Sequence, residues 1–207
     1  MLAYIAWHRT AAGVDAGAYE QALQSFHHSL ARVPPSGFEG SHAFRAGAAP
    51  PQIGAAEAAG GEEATPASPD GAGPGYEDWY LLDGWSALGV LEEAAVAHGH
   101  ISRHDAVAGL AAHASGAVYR LSEGHPGLAG TRVSVWVAPA RNHTPPAIAD
   151  LLGDGMDPRS SALWRRSLGL GPAPEYCLLA REPPPGAAPA RLPSGWRAVV
   201  SPREPVW

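Results

Sequence analysis

The chain has 207 residues, 45% of them apolar, and a formal charge of −6 in which all 14 cationic side chains are arginine. That is enough for one large core or two small units sharing one. A negative balance without an arginine run excludes a surface for nucleic acid or anionic membrane, and the lack of lysine excludes Schiff-base chemistry and a phosphate-loop lysine.

Residues 2–9, with Tyr4, Ile5 and Trp7, read as a strand. Residues 14–33 read as a helix: Asp15 is placed to cap it, and Tyr19, Leu23, Phe26, Leu30 and Val33 recur at spacings of four and three until Pro34-Pro35 ends it. A second strand is expected over 37–46, where Phe38, His42 and Phe44 fall at even spacing. Residues 47–75, rich in Ala, Gly, Pro and Glu, read as a mobile insertion that has too few aliphatics to order itself. A third strand, 76–82, is broken by Asp83-Gly84. Two helices follow at 85–97 and 104–115, with Ser102 as a cap for the second. A short strand over 117–121 precedes the glycine turn at 124–130, and 132–138 alternates Val133, Val135 and Val137 with Arg132, Ser134 and Trp136 as a half-buried strand does. Thr144-Pro145 opens a short helix to residue 152. Residues 163–170 suit helix or strand on their own. Strands at 175–180 and 196–200 complete the chain, separated by a proline-rich linker over 183–195.

A degraded repeat ties these elements together. Asp78-Trp79-Tyr80-Leu81-Leu82 returns as Glu175-Tyr176-Cys177-Leu178-Leu179, each copy behind a Gly-Pro pair, Gly73-Pro74 and Gly171-Pro172. The two copies read as corresponding strands of two half-domains, which favours strand for 163–170. The resulting order is strand, helix, strand, strand, helix pair, strand, and then strand, helix, strand, strand, linker, strand. It resembles the dimeric α+β barrel superfamily, in which ferredoxin-like units are fused. The resemblance implies an α+β fold of tandem ferredoxin-like halves, 1–125 and 126–207, with two antiparallel sheets face to face and helices outside. It also implies a cavity between the sheets, haem binding in some members, and frequent dimerisation.

Placed on that fold, Val133, Val135 and Val137 form the helix-side row and Trp136 faces the cavity, with Ile5, Trp7 and Arg9 on the same inner face; a slip of one residue puts Tyr4 and His8 there instead. The strands carry Trp7, Trp79, Trp136 and Trp164, accompanied by Arg9, Arg45, Arg132, Arg165 and Arg166. Rings and arginines together suit a planar acidic or phenolic ligand, and equally suit a core with arginines at its edge. Trp7, Arg9, His42, Trp79 and Trp136 are therefore the expected ligand contacts, Arg9 holding an anion. His8 and Asp78 are the expected proton carriers.

Three further patterns were weighed. His98, His100 and His104 lie close enough in sequence to share a metal, yet Ser102 and Arg103 stand where a metallo-hydrolase motif has Asp and His, and a polar turn between helices explains them. Gly84-Trp85-Ser86-Ala87-Leu88-Gly89 has its second glycine one residue too late for a nucleophile elbow. His27 borders the first helix's apolar stripe, as a structural histidine or a haem ligand. The single cysteine, Cys177, forms no internal disulfide and is expected to be buried and inert. No apolar run reaches 18 residues, and residues 1–10 lack a secretory leader's pattern, so a cytoplasmic protein is expected. Three functions stay open: a small-molecule site with proton-transfer or oxygenation chemistry, a haem protein, and an assembly module pairing through sheet edges as a homodimer.

Overall fold

The computed structural model describes residues 1–47, 74–96, 100–127, 129–140, 160–169, 173–183 and 192–207. Eight strands and three helices are described: β1 (Leu2–Thr10), α1 (Ala16–Arg32), β2 (Phe38–Ala46), β3 (Gly75–Leu82), α2 (Trp85–Val96), α3 (Ile101–Ala108), β4 (Ala111–Gly124), β5 (Val133–Ala138), β6 (Ala162–Gly169), β7 (Tyr176–Ala180) and β8 (Arg197–Pro205). The fold is α+β. Its strands close into one antiparallel barrel in the order β1-β3-β2-β8-β5-β7-β6-β4. Within each run of four strands the spatial order is fourth, first, third, second, and the repeated segments, β3 and β7, hold the third place in each. Most of the 47–75 insertion, the helix expected at 144–152 and His98 lie outside the described residues.

Local chemistry accounts for the elements. Asp15 caps α1 by accepting from the Ala18 N–H at 2.8 Å, which satisfies one of the helix's orphan donors, and Tyr19, Leu23, Phe26 and Leu30 are buried along its stripe. Val33, expected to extend that stripe, is 65% exposed because the helix has ended before it. The second expected helix is cut short: α3 stops at Ala108, and residues 111–115 belong instead to β4. Those alanines favour helix locally, but the free side of β1 takes them, with Thr10 opposite Ala111 and Arg9 opposite Ala112. Pairing with a strand already in place overrides weak propensity. Ser102 sits in the first turn of α3 and does not cap it; His100 holds that position without a side-chain cap bond. The last strand runs on from residue 200 to Pro205, through two prolines.

The barrel interior is filled. Ala3, Ile5 and Trp7 of β1, Trp79 and Leu81 of β3, Trp136 of β5, Trp164 of β6 and Cys177 of β7 form one buried cluster. Trp7 meets Trp136 edge-on at 5.2 Å between ring centres, and Trp79 meets Trp164 at 5.7 Å. Each fully buried indole contributes at most about 4–6 kcal/mol of apolar transfer free energy. The cavity expected between two sheets is thus occupied by rings. The Cys177 thiol, at 0% exposure, is pushed well up by burial.

An ion pair lies inside this apolar mass. Glu77 and Arg203 approach to 3.3 Å with side chains at 0% exposure. Glu77 also accepts from the indole N–H groups of Trp79 and Trp136 and from the Ser134 hydroxyl, each at 3.2 Å. Arg203 donates to Thr131 Oγ1 at 2.8 Å and stacks over the Phe44 ring at 3.5 Å. Burial pulls the guanidinium's pKa down while Glu77 opposes it.

On the outer side, Val133, Val135 and Val137 form a separate cluster with Leu163, Tyr176 and Leu178, as their alternation predicts. No described helix is long and apolar enough to cross a membrane. Among the described residues each strand has a partner on both sides, so no whole strand is left as a free edge of the kind expected as a route to dimers. One turn depends on its glycine: Gly124 has φ +86°, and a Cβ there would lie 2.1 Å from the Ser161 carbonyl oxygen. Gly124→Ala is expected to cost about 1–3 kcal/mol, read as a lower midpoint in urea unfolding.

Candidate active site

The outer face of β1 and β3 carries the polar groups. Strand alternation turns Ile5, Trp7 and Trp79 inward and leaves Tyr4, Ala6, His8, Asp78 and Tyr80 facing the helices. The register places Ala6 opposite Asp78 and His8 opposite Tyr76, so His8 and Asp78 are diagonal neighbours. With α1, α2 and α3 these strands enclose a cleft of about 230 Å³, walled by apolar groups such as Phe26, Leu91, Ala95 and Val107. Its charged linings are Asp78 and Glu92, with His8 and His104 alongside; among the described residues no arginine lines it.

At its floor, Asp78, 3% exposed, is the hub. Its Oδ2 lies 3.0 Å from His8 Nε2 and accepts from the Tyr80 hydroxyl at 3.2 Å, while Oδ1 lies 3.6 Å from His27 Nε2. The His8 contact is at ion-pair distance but too bent for a formed hydrogen bond, so its value is electrostatic. On the far side of the imidazole, His8 Nδ1 and the Tyr19 hydroxyl meet at 2.5 Å. His27 is held by Ser41 Oγ at 2.7 Å from Nδ1. Tyr80 stacks on the His27 ring at 5.4 Å and on Tyr4 at 5.9 Å.

Burial is the largest influence on Asp78 and would raise its pKa, but His8 and His27 together outweigh it and hold the carboxyl well below the usual range. Burial, reinforced by Asp78, raises the phenols of Tyr19 and Tyr80. Asp78 therefore stays anionic and the tyrosines stay protonated at neutral pH. With its Nε2 proton facing the carboxylate, His8 leaves Nδ1 to accept from the Tyr19 O–H. Carboxylate, imidazole and phenol thus follow one another, the first contact bent, and end at the cleft wall.

A stability test follows from Asp78. A carboxyl whose folded pKa lies below its unfolded value of 3.8 stabilises the fold at every pH above that value, and the contribution is lost as pH falls through the folded value. Asp78→Asn is expected to lower the melting temperature at pH 7, and its deficit against the native chain should narrow below about pH 3.8, followed by melts across pH.

The expected site residues divide between the two faces of the sheet. His8 and Asp78 come together in the cleft. Trp7, Trp79 and Trp136 pack inside the barrel at 3%, 0% and 0% exposure, so they are away from it. His42, paired with Trp79 and stacked on Phe44, also faces inward; burial and Arg203 lower its pKa. Arg9 is half-buried at the end of β1 and does not line the cleft. Of the other expected arginines, Arg45 pairs with Glu20 and Glu204, and Arg165 and Arg166 pair with Glu175. His100 is buried and bonded to Ser29, while His104 lies beside Asp105 at the cleft mouth. Among the described residues no group of three could hold a metal ion.

Sequence reasoning missed Tyr19 and Tyr80 as site residues, and placed Tyr4 beside His8 only under the one-residue slip. The four-residue step from Tyr19 to Leu23 marked a helix stripe, but nothing in it marked the phenol's partner. Gly116 is another such residue: a Cβ there would lie 2.9 Å from the Tyr4 ring. Because the obstacle is a side-chain end, Gly116→Ala should lift that ring into the cleft. A change of tenfold or more in Kd for a cleft ligand is expected with melting shifted by only a few degrees, by calorimetry on both chains.

Haem, raised by the family resemblance, does not fit this cleft. The cleft is smaller than the ~300 Å³ at which drug-sized pockets begin, no described arginine lines it to meet the propionates, and the ring nitrogens of His27 face Ser41 and Asp78.

No family model matches the chain, and no curated protein does. Among solved structures it is similar to a candidate monooxygenase from Lactobacillus acidophilus NCFM, at 10% identity and a TM-score of 0.49 over 100% of this chain and 94% of that one. It is also similar to a candidate chlorite dismutase, at 11% identity and a TM-score of 0.46 over 100% of this chain and 96% of that one. Neither likeness assigns a reaction.

Proposed function

We propose that this protein binds a small, neutral, largely apolar molecule in the cleft between its helices and β1–β3, and moves a proton from a weakly acidic O–H or C–H of that molecule. The single observation carrying this reading is the Asp78–His8–Tyr19 succession of contacts, which ends at the wall of a largely apolar cleft. As the substrate's proton passes to the Tyr19 oxygen, the Tyr19 proton passes to His8 Nδ1, and the imidazolium so formed is stabilised by Asp78. Because the phenol's pKa is raised, the two transfers are concerted and free tyrosinate is not an intermediate. An anionic substrate is disfavoured by Asp78 and Glu92. The volume, below the ~300 Å³ at which drug-sized pockets begin, restricts the ligand to one or two rings. A phenolate or enolate made this way either takes its proton back or is consumed by dioxygen, so isomerisation and cofactor-free oxygenation share their first step.

We read the barrel as two ferredoxin-like halves, 1–125 and 126–207, on the support of the identical strand order in each run of four. Proton transfer is assigned to the first half alone, and a cytoplasmic setting suits such a reaction.

The test is deuterium wash-in from solvent into a panel of small phenols and enolisable ketones, followed by NMR. Protein-dependent exchange of a panel member, abolished by His8→Ala, is the expected result. No exchange across the panel, or exchange at the native rate in His8→Ala, would overturn the reading.

A further inference from the structure

The barrel has two seams where a strand of the first four meets one of the last four. At the β2–β8 seam, Arg45 lies directly opposite Glu204, and their side chains form an ion pair at 3.3 Å. At the β4–β6 seam, Arg120 lies directly opposite Arg165. Like charges in directly opposed positions repel, so one seam is matched in charge and the other is opposed.

Around that opposed pair lies a groove of about 340 Å³, lined by Arg120, Leu121, Ser122, Arg165, Arg166 and Ser167. Three arginines line it, and Glu175 is the carboxylate that holds two of them, accepting from Arg165 Nε and Arg166 Nη2, each at 3.2 Å. Arg166 is further fixed by donating to the Ala173 carbonyl, and the Arg165 cation stands over the Tyr176 ring at 5.9 Å. Two of the three cations are thus held in place. Arg120 is exposed and makes no ion pair among the described residues. Excess positive charge is concentrated here on a chain whose net charge is −6.

We propose that the β4–β6 seam is a binding site for the oxyanion of a small molecule, a phosphate or a carboxylate, held between Arg120 and Arg165 with Ser122 and Ser167 as hydroxyl donors. Planar guanidinium groups bind such oxyanions through paired N–H donors. The bound anion relieves the repulsion between the facing arginines, so occupancy stabilises the barrel where its two runs join. This site is separate from the cleft and opposite in charge preference.

The full chain is melted in inorganic phosphate and in acetate, each against sodium chloride of equal ionic strength, alongside Arg120→Gln and, as a comparison, Arg45→Gln. A rise of about 3–6 °C at a tenfold excess of anion over its Kd is expected for the native chain and for Arg45→Gln. Arg120→Gln, freed of the repulsion, should melt higher than the native chain in chloride and gain nothing from either anion. A response to phosphate alone identifies a phosphoryl ligand, and a response to acetate as well identifies oxyanions generally. The proposal is overturned if neither anion acts beyond ionic strength, or if Arg120→Gln responds as the native chain does.

Discussion

Arg203→Met is expected to destabilise the fold by about 3–5 kcal/mol, a fall of roughly 6–20 °C in melting temperature for a chain of this size. Glu77 would keep two indole donors and a serine hydroxyl but lose the cation it faces, in a space closed to water. Removing one member of a buried pair costs more than the pair contributes, because the remaining charge has no solvent to turn to. The companion Glu77→Gln, Arg203→Met double variant should recover most of the loss. Glutamine keeps an acceptor for the indoles, and methionine keeps volume over Phe44 and Trp79. Chemical unfolding at pH 7 of the native chain, Arg203→Met, Glu77→Gln and the double variant gives the coupling energy directly. A double variant no more stable than Arg203→Met would show that arginine packing, not charge, matters here.

Tyr19→Phe and His8→Ala should each slow proton transfer by about 10²–10⁴-fold, with KM changed only a few-fold. The phenylalanine ring keeps the packing of Tyr19 against Tyr76, at 5.0 Å between centres, while the hydroxyl that meets His8 Nδ1 is gone. Groups that act as one unit are not additive, so the Tyr19→Phe, His8→Ala pair should be little slower than either single variant. Single-turnover rates on the panel member that exchanges deuterium provide the comparison. Losses that multiply would show that phenol and imidazole act on the substrate independently.

Much of the element order was legible because its signals are local. Asp15 and Pro34-Pro35 bracket α1, the valines of β5 alternate, and the repeated acidic-aromatic segment marked the two strands that hold the third place in each run. Which face of β1 and β3 points inward was not legible. β1 is apolar on both sides, Ala3, Ile5 and Trp7 within and Leu2, Tyr4 and Ala6 without, so periodicity carries no sign. For that reason the tryptophans and His8 were grouped around one cavity, although they lie on opposite sides of the sheet. Arg203 was missed for a different reason. Pro202 and Pro205 flank it, and proline lacks the donor a central strand uses, so the segment reads as coil. Only closure of the barrel makes it a strand.

That closure has an uneven clasp. Phe44–Ala46 against Arg203–Pro205 is the whole register between β2 and β8, whereas β4 and β6 run together from Ala117 to Gly124. Arg203 sits on the shorter of these two seams. An opening confined to that seam would hydrate Arg203 while the tryptophans stay packed, which would make the buried charge a latch that water can release without melting the core.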